Sequence, residues 1–164
     1  MEIESLPLEG LVLVKPRVCE DERGYFLENY RVGNLDTFVQ DNQSFSRKGV
    51  IRGLHYQKGQ AKLVHVIEGE IYDVVVDIRE GSPTYGKWYG VHLSGENHWQ
   101  LYVPDGFAHG FCAIRDSHVC YKVSCFYDPK MQGGLHYDQL GIKWPVSDPI
   151  VSERDRKAPL LESV

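Results

Sequence analysis

Long apolar runs are absent from this sequence. No stretch approaches the roughly 18 consecutive apolar residues that a membrane-crossing helix needs. Met1 to Pro7 carry neither a basic flank nor an apolar run, so no secretory signal is expected and the expected location is cytoplasmic. An excess of positive charge is missing too. The 164 residues carry 18 Lys and Arg against 23 Asp and Glu, a formal net charge of −5. That balance argues against nucleic acid and membrane surfaces as partners, since both call for a basic patch. It leaves room for one small anionic ligand held by a few local Arg and Lys side chains. Cysteines are few, at 19, 112, 120 and 125, and their spacings match no zinc pattern. A reducing compartment disfavours disulfides, so they read as small apolar core side chains.

The familiar cofactor and catalytic signatures are missing as well. No Gly-x-Gly-x-x-Gly follows a strand, and no Gly-x-x-x-x-Gly-Lys-Ser/Thr occurs, so neither a dinucleotide site nor a P-loop is expected. Neither Gly-x-Ser-x-Gly nor His-Glu-x-x-His is present. The chemistry therefore falls to ordinary side chains or to a scattered metal site.

What is present is strand material. Ten Tyr, six Phe and three Trp suit strands or a pocket that stacks flat ligands, and the scattered 16 Gly and eight Pro suit many turns. The length fits one domain over 1–164. Lys62 to Ile78 reads as two strands joined at Glu68-Gly69-Glu70. A turn cluster follows at Gly81 to Gly86. Further strands are expected over Lys87–Leu93, Trp99–Val103, Phe107–Ile114 and Val119–Phe126, with Pro104-Asp-Gly106 as a stop. Short helices are expected near Val32–Gln40 and from Ser152, where Ser-Glu-Arg-Asp155 looks like an N-cap with an acidic first turn. Closely spaced strands with few helical patterns predict an all-β sandwich or barrel. A barrel of this size can enclose one small ligand at its mouth.

Three polar features stand out against this apolar background. The first is Gly49-Val-Ile-Arg-Gly-Leu-His-Tyr-Gln57 with Lys62 close behind. Arg52 offers a fork for phosphate, His55 can take a proton near neutrality, and Lys62 can stabilise an oxyanion. A lone His is more often a satisfied structural group, and only the company of Arg52 and Lys62 raises His55 above that. The second is Val103-Pro-Asp-Gly-Phe-Ala-His-Gly-Phe111, whose Pro-x-Gly-x-x-His is similar to the second cupin motif, where the His often binds metal. The first cupin motif usually supplies His-x-His, but here the region reads His55-Tyr-Gln57. Strand alternation puts His65 on the face opposite Lys62, so a three-ligand metal site is hard to assemble and His109 reads as a hydrogen-bonding pocket residue. The third feature is Tyr121 and Tyr127, expected on the same face of one strand. They are either rim tyrosines or include a proton donor.

Taken in order, the strings resemble one family along nearly the whole chain. They are Asp21-Glu-Arg-Gly-Tyr-Phe26, Val39-Gln-Asp-Asn42, Gly49 to Gln57, Lys62-Leu-Val64, Val74 to Arg79, Ser82-Pro-Thr-Tyr-Gly86, Val103 to Phe111, Tyr121-Lys122 and Gly141-Ile-Lys-Trp-Pro145. The family is dTDP-4-dehydrorhamnose 3,5-epimerase, in the cupin superfamily. The resemblance implies a cupin-like jelly-roll β-barrel and a dTDP-sugar substrate, with no metal and no redox cofactor. It implies His55 as catalytic base, Asp155 as the carboxylate orienting it, Lys62 as stabiliser of the enolate oxygen and Tyr121 as the acid on the opposite face. It places His109, Arg23, Glu28, Gln40, Asn42, Arg52 and Tyr127 around the nucleotide-sugar pocket. It further implies a homodimer with exchanged N-terminal strands. The stretches Gln57–Lys62 and Met131–Asp138 are short for the family, which leaves open whether both C3 and C5 are inverted.

A metal-free reading has a direct check. Dialysis against EDTA is expected to leave turnover of a dTDP-4-keto sugar unchanged. Loss of turnover that a divalent cation restores would establish the metal-dependent cupin reading instead.

Overall fold

The computed structural model describes residues 1–163. Strands dominate: β1 (Glu2–Ser5), β2 (Val12–Lys15), β3 (Val18–Asp21), β4 (Gly24–Leu27), β5 (Gln40–Ser46), β6 (Ile51–Gln57), β7 (Lys62–Glu68), β8 (Glu70–Asp77), β9 (Trp88–Ser94), β10 (Gln100–Val103), β11 (Phe107–Ala113), β12 (Ser117–Val123) and β13 (Gln132–Gly134). A short helix α1 (Glu153–Arg156) and a 3₁₀ turn (Leu161–Ser163) follow. The strands form a six-stranded sheet ordered β1-β2-β10-β7-β12-β5 and a five-stranded sheet ordered β13-β6-β11-β8-β9. The β3–β4 hairpin pairs with neither. This is the all-β, cupin-like double-sheet barrel that the strand spacing calls for.

The core follows from strand alternation. Val64, Val66, Leu101, Val103 and Val119 project from the six-stranded sheet onto Ile71, Val75, Leu93, Phe107 and Phe111 of the other. The five-stranded sheet is buried on both sides. Its outward Leu54, Val74, Val76 and Ala108 pack under Leu135, Ile142 and Leu161 of the C-terminal segment. That double burial explains why β8 carries Val74-Val75-Val76 without a polar alternate.

Two expectations on local structure fail. Val32 to Val39 form turns and extended chain rather than a helix, and Gln40 opens β5. Gly33 has φ +102°, a conformation that ends helices. The segment is tied down by side chains instead: Tyr30 donates to the Asp36 carbonyl (3.1 Å) and accepts from the Phe38 N–H (3.2 Å), and Tyr102 donates to the Asp36 carboxylate. The strand expected over Val119–Phe126 begins earlier and ends at Val123. Its neighbours set that end, since Val123 lies opposite Gln40 and Lys62, the first residues of β5 and β7. Tyr127 is therefore not on one strand face with Tyr121. The helix expected from Ser152 is present, and Ser152 Oγ accepts from the Asp155 N–H at 3.1 Å.

One buried charge fastens the end of β8. Asp77 is fully buried and accepts from Arg79 N (3.0 Å), Nε (2.9 Å) and Nη2 (2.9 Å), from Ser82 Oγ (2.6 Å) and from Thr84 Oγ1. Burial pushes its pKa up, but these donors outweigh it and hold the carboxyl well below the usual range. The contribution to stability is thus present above the unfolded-state pKa of about 3.9 and is lost as pH falls toward the lower folded value. Asp77→Ala is expected to cost about 2–4 kcal/mol at about pH 7 in urea unfolding. The gap between variant and wild type should narrow below about pH 4.

Candidate active site

The centre of the site is an irregularity in β6. Arg52 and His55 are three apart, so in a regular strand they would face opposite ways. Against β11, however, His55 lies opposite His109 while Arg52 lies opposite Phe111. Three steps on β6 match two on β11, which is a bulge. Arg52 and His55 consequently share the inner face. The bulge needs Gly53, which has φ +126° and where an added Cβ would sit 2.5 Å from the Gly110 Cα.

Asp155 holds this bulge. Its Oδ2 accepts from the Gly53 N–H at 3.0 Å, and its Oδ1 lies 2.6 Å from His55 Nε2. Burial raises the carboxyl pKa, yet the bonds from His55 and Gly53 prevail and keep it below its ordinary value. An ionised Asp155 accepts, so Nε2 carries the proton and Nδ1 keeps the lone pair.

The facing sheet supplies the other groups. Tyr121 lies opposite Asn42 on β5 and Val64 on β7, and Val123 lies opposite Gln40 and Lys62. Directly opposed residues share a face, so Gln40, Asn42, Lys62 and Tyr121 project inward beside core Val64 and Val119. Lys62 Nζ is 6.0 Å from the centre of the Tyr121 ring. Burial lowers the Lys62 pKa to about 8, with the Asp73 carboxylate acting in the opposite direction. His65, on the outward alternate, lines a separate cavity with Tyr25, Phe26 and His98. Among the described residues no three His, Cys, Asp or Glu side chains gather as a ligand set.

His109 is buried, and its Nε2 lies 2.6 Å from Oδ1 of fully buried Asp73. Sequence reading does not single out Asp73. The available signal is a lone carboxylate at the head of a Val-Val-Val run. Arg52 reaches across to β5, donating from Nε to Ser46 Oγ (2.8 Å) and from Nη2 to the Phe45 carbonyl (3.1 Å). Gln40 donates to Asn42 Oδ1 (3.0 Å) and accepts from the Tyr127 N–H (3.2 Å). Tyr127 itself is exposed at the rim, with its hydroxyl on Gln132 Oε1 at 3.2 Å.

Two residues of the expected set lie elsewhere. Arg23, at the tip of the β3–β4 hairpin, is paired with Asp21 at 2.6 Å and lines a cavity made by the hairpin alone. Glu28 is paired with Arg31 at 2.7 Å. Within one chain neither joins His55. A cavity of about 390 Å³ does lie against Arg52, His55 and Asp155. A larger one of about 420 Å³, between Tyr56, Tyr85, Leu135 and Leu161, holds none of these groups.

Known proteins resemble this chain over nearly its whole length. A dTDP-4-dehydrorhamnose 3,5-epimerase from Methanothermobacter thermautotrophicus is 47% identical over 95% of this chain and 92% of its own. A dTDP-4-dehydrorhamnose 3-epimerase from Streptomyces niveus is 41% identical over 98% of this chain and 84% of its own. The crystal structure of a 3,5-epimerase from Legionella pneumophila in complex with dTDP-4-keto-L-rhamnose superposes with a TM-score of 0.94 at 44% identity, covering 99% of this chain and 94% of that one. The family model for dTDP-4-dehydrorhamnose 3,5-epimerase matches residues 5–163, and the chain belongs to that family.

Proposed function

We propose that this protein inverts C3 and C5 of dTDP-4-dehydro-6-deoxy-D-glucose to give dTDP-4-dehydro-L-rhamnose. The observation that carries the reading is the placement of His55 and Tyr121 on the inner faces of opposed sheets, with Lys62 beside Tyr121. A ring lying between the sheets meets a base on one side and an acid on the other.

The hydrogens at C3 and C5 are acidic because each carbon adjoins the C4 ketone. His55 Nδ1 removes one of them. The electron pair moves into an enolate whose oxygen is stabilised by the Lys62 ammonium. Tyr121 then delivers a proton to the opposite face of the same carbon, and the configuration inverts. No hydride moves, so the steps need no nicotinamide. Asp155 keeps Nε2 protonated and stabilises the imidazolium that forms. Arg52 can grip the diphosphate, and binding energy from the nucleotide helps place the sugar.

The remaining pocket residues fit a cytoplasmic homodimer with exchanged N-terminal strands. The β3–β4 hairpin is unpaired with either sheet, and its Tyr25 and Phe26 are exposed. Carried to a second copy, it would bring Arg23 and Glu28 to that copy's pocket. The Streptomyces niveus relative, named a 3-epimerase, favours C3 inversion alone as the second reading.

Incubation with dTDP-4-keto-6-deoxyglucose in D2O, followed by NMR, separates the readings. Deuterium is expected at both C3 and C5. Label at C3 alone would establish the single inversion, and no label at either carbon would overturn epimerisation. His55→Ala and Asp155→Asn are each expected to lower kcat about 10²–10⁴-fold while dTDP still binds by calorimetry. Normal turnover by His55→Ala would remove that residue from the mechanism.

A further inference from the structure

Beyond Val123 the chain leaves the β12 ladder, and the backbone groups that follow need other partners. Glutamine side chains from β5, β6 and the turn after β6 supply them. Gln60 Nε2 donates to the Cys125 carbonyl (3.0 Å), and Gln57 Nε2 donates to the Phe126 carbonyl (2.9 Å). The Tyr127 N–H donates to Gln40 Oε1 (3.2 Å), and the Asp128 N–H donates to Gln57 Oε1 (3.0 Å). Of these three glutamines only Gln57 is buried, and only Gln57 grips the chain on both sides of Tyr127. Tyr127 itself is exposed. Its hydroxyl meets Gln132 Oε1 at 3.2 Å, the oxygen that also accepts from Arg154 Nη2 at 2.9 Å. Arg154 lines the cavity of His55. Tyr127 therefore spans the mouth, from Gln40 of the six-stranded sheet to Gln132 of the five-stranded one.

We infer that Gln57 is a positioning residue for nucleotide binding, its amide fixing the backbone on either side of Tyr127 so that the ring stands ready at the pocket mouth. A primary amide suits this task because it carries a donor and an acceptor on one rigid group. The donor holds the peptide before Tyr127 and the acceptor holds the peptide after it. A ring fixed before the ligand arrives costs less to order on binding, and its flat face suits the flat base of a nucleotide. A leucine at position 57 would fill similar space but leave the Phe126 carbonyl and the Asp128 N–H without these partners. Gln57 acts through Tyr127 and takes no part in the proton transfers, so its loss falls on binding rather than on chemistry.

This inference rests on the epimerase reading, and the experiment keeps the two apart. In folded Gln57→Leu, confirmed by circular dichroism, dTDP affinity by calorimetry should fall about tenfold. KM for dTDP-4-keto-6-deoxyglucose should rise about tenfold, with kcat within about twofold of wild type. Tyr127→Ala should weaken dTDP to a similar degree, and the double variant should bind no more weakly than Tyr127→Ala alone. Additive losses, unchanged affinity in Gln57→Leu, or a fall in kcat with KM unchanged overturn the role of Gln57 and leave the epimerase reading standing. A wild type that incorporates no deuterium overturns the epimerase reading, while calorimetry with dTDP still tests the grip on Tyr127. Proton exchange by NMR in the wild type needs neither turnover nor a folded variant. The Gln57 side-chain amide and the Asp128 N–H should exchange with D2O at least about tenfold more slowly than exposed amides of the same kind. Exchange at the exposed rate would overturn the inference.

Discussion

The two oxygens of Asp155 are the constraint on which the site depends. One takes the Gly53 N–H and the other the His55 imidazole, so a single carboxylate sets both the shape of a strand and the aim of a side chain. The Gly53 N–H is turned out of the ladder by the bulge and would be buried without a partner if Asp155 were absent. The bulge in turn is what lets Arg52 and His55 face the same way. Asp155 arrives on a helix of one turn, too short to stand alone. That turn is anchored by its Ser152 cap and by a bridge between Val50 and Ile150 just ahead of it. The C-terminal segment is therefore part of the site, a hundred positions from the histidine it orients.

The double-sheet architecture does the remaining geometric work. A proton donor and acceptor must stand on opposite sides of a flat reacting centre, and two facing sheets supply opposite sides by construction. Register then decides which residues meet there. Tyr121, Asn42, Lys62 and Gln40 occupy adjacent inward positions on three hydrogen-bonded strands, and β6 with β11 returns His55 and His109 from across the barrel. Several of the polar groups bind one another, His55 with Asp155, His109 with Asp73 and Gln40 with Asn42, which lowers the desolvation cost that Val64, Val119, Phe107 and their neighbours offset.

Much of this is legible in the chain because strand alternation is a strong signal. It separates Lys62 from His65 correctly, and it locates β7 to β11 to within a residue, while β1 to β6 and β13 go unmarked. It fails where spacing is not the controlling physics. Arg52 and His55 group together as neighbours in sequence, but the bulge that puts them on one face depends on Gly110 of another strand. Tyr127 pairs with Tyr121 on paper because nothing local marks the end of β12; the ends of β5 and β7 do. The helix expected after Val32 loses to Gly33 and to the tether between Tyr30, Tyr102 and Asp36. Asp155 comes only from the family resemblance, since a carboxylate in a charged tail has no signature until the tail folds back. Arg23 and Glu28 are a different case: in this chain they pair with Asp21 and Arg31, away from His55.

The two carboxylate–imidazole pairs look alike, yet they are suited to different work, and exposure separates them. The His55 side chain is 33% exposed and that of His109 only 9%. An imidazole that takes a proton from substrate must later release it, and release is easier where solvent or a second substrate carbon can reach the ring. Protonating His109 would place a second positive charge in a closed interior already holding Lys62, with only Asp73 to answer both. Protonating His55 places the charge against Asp155 near an opening, where water screens it. The chain therefore carries one imidazole near solvent and one enclosed in the barrel. The difference comes from where each strand emerges from the barrel rather than from the identity of the residues.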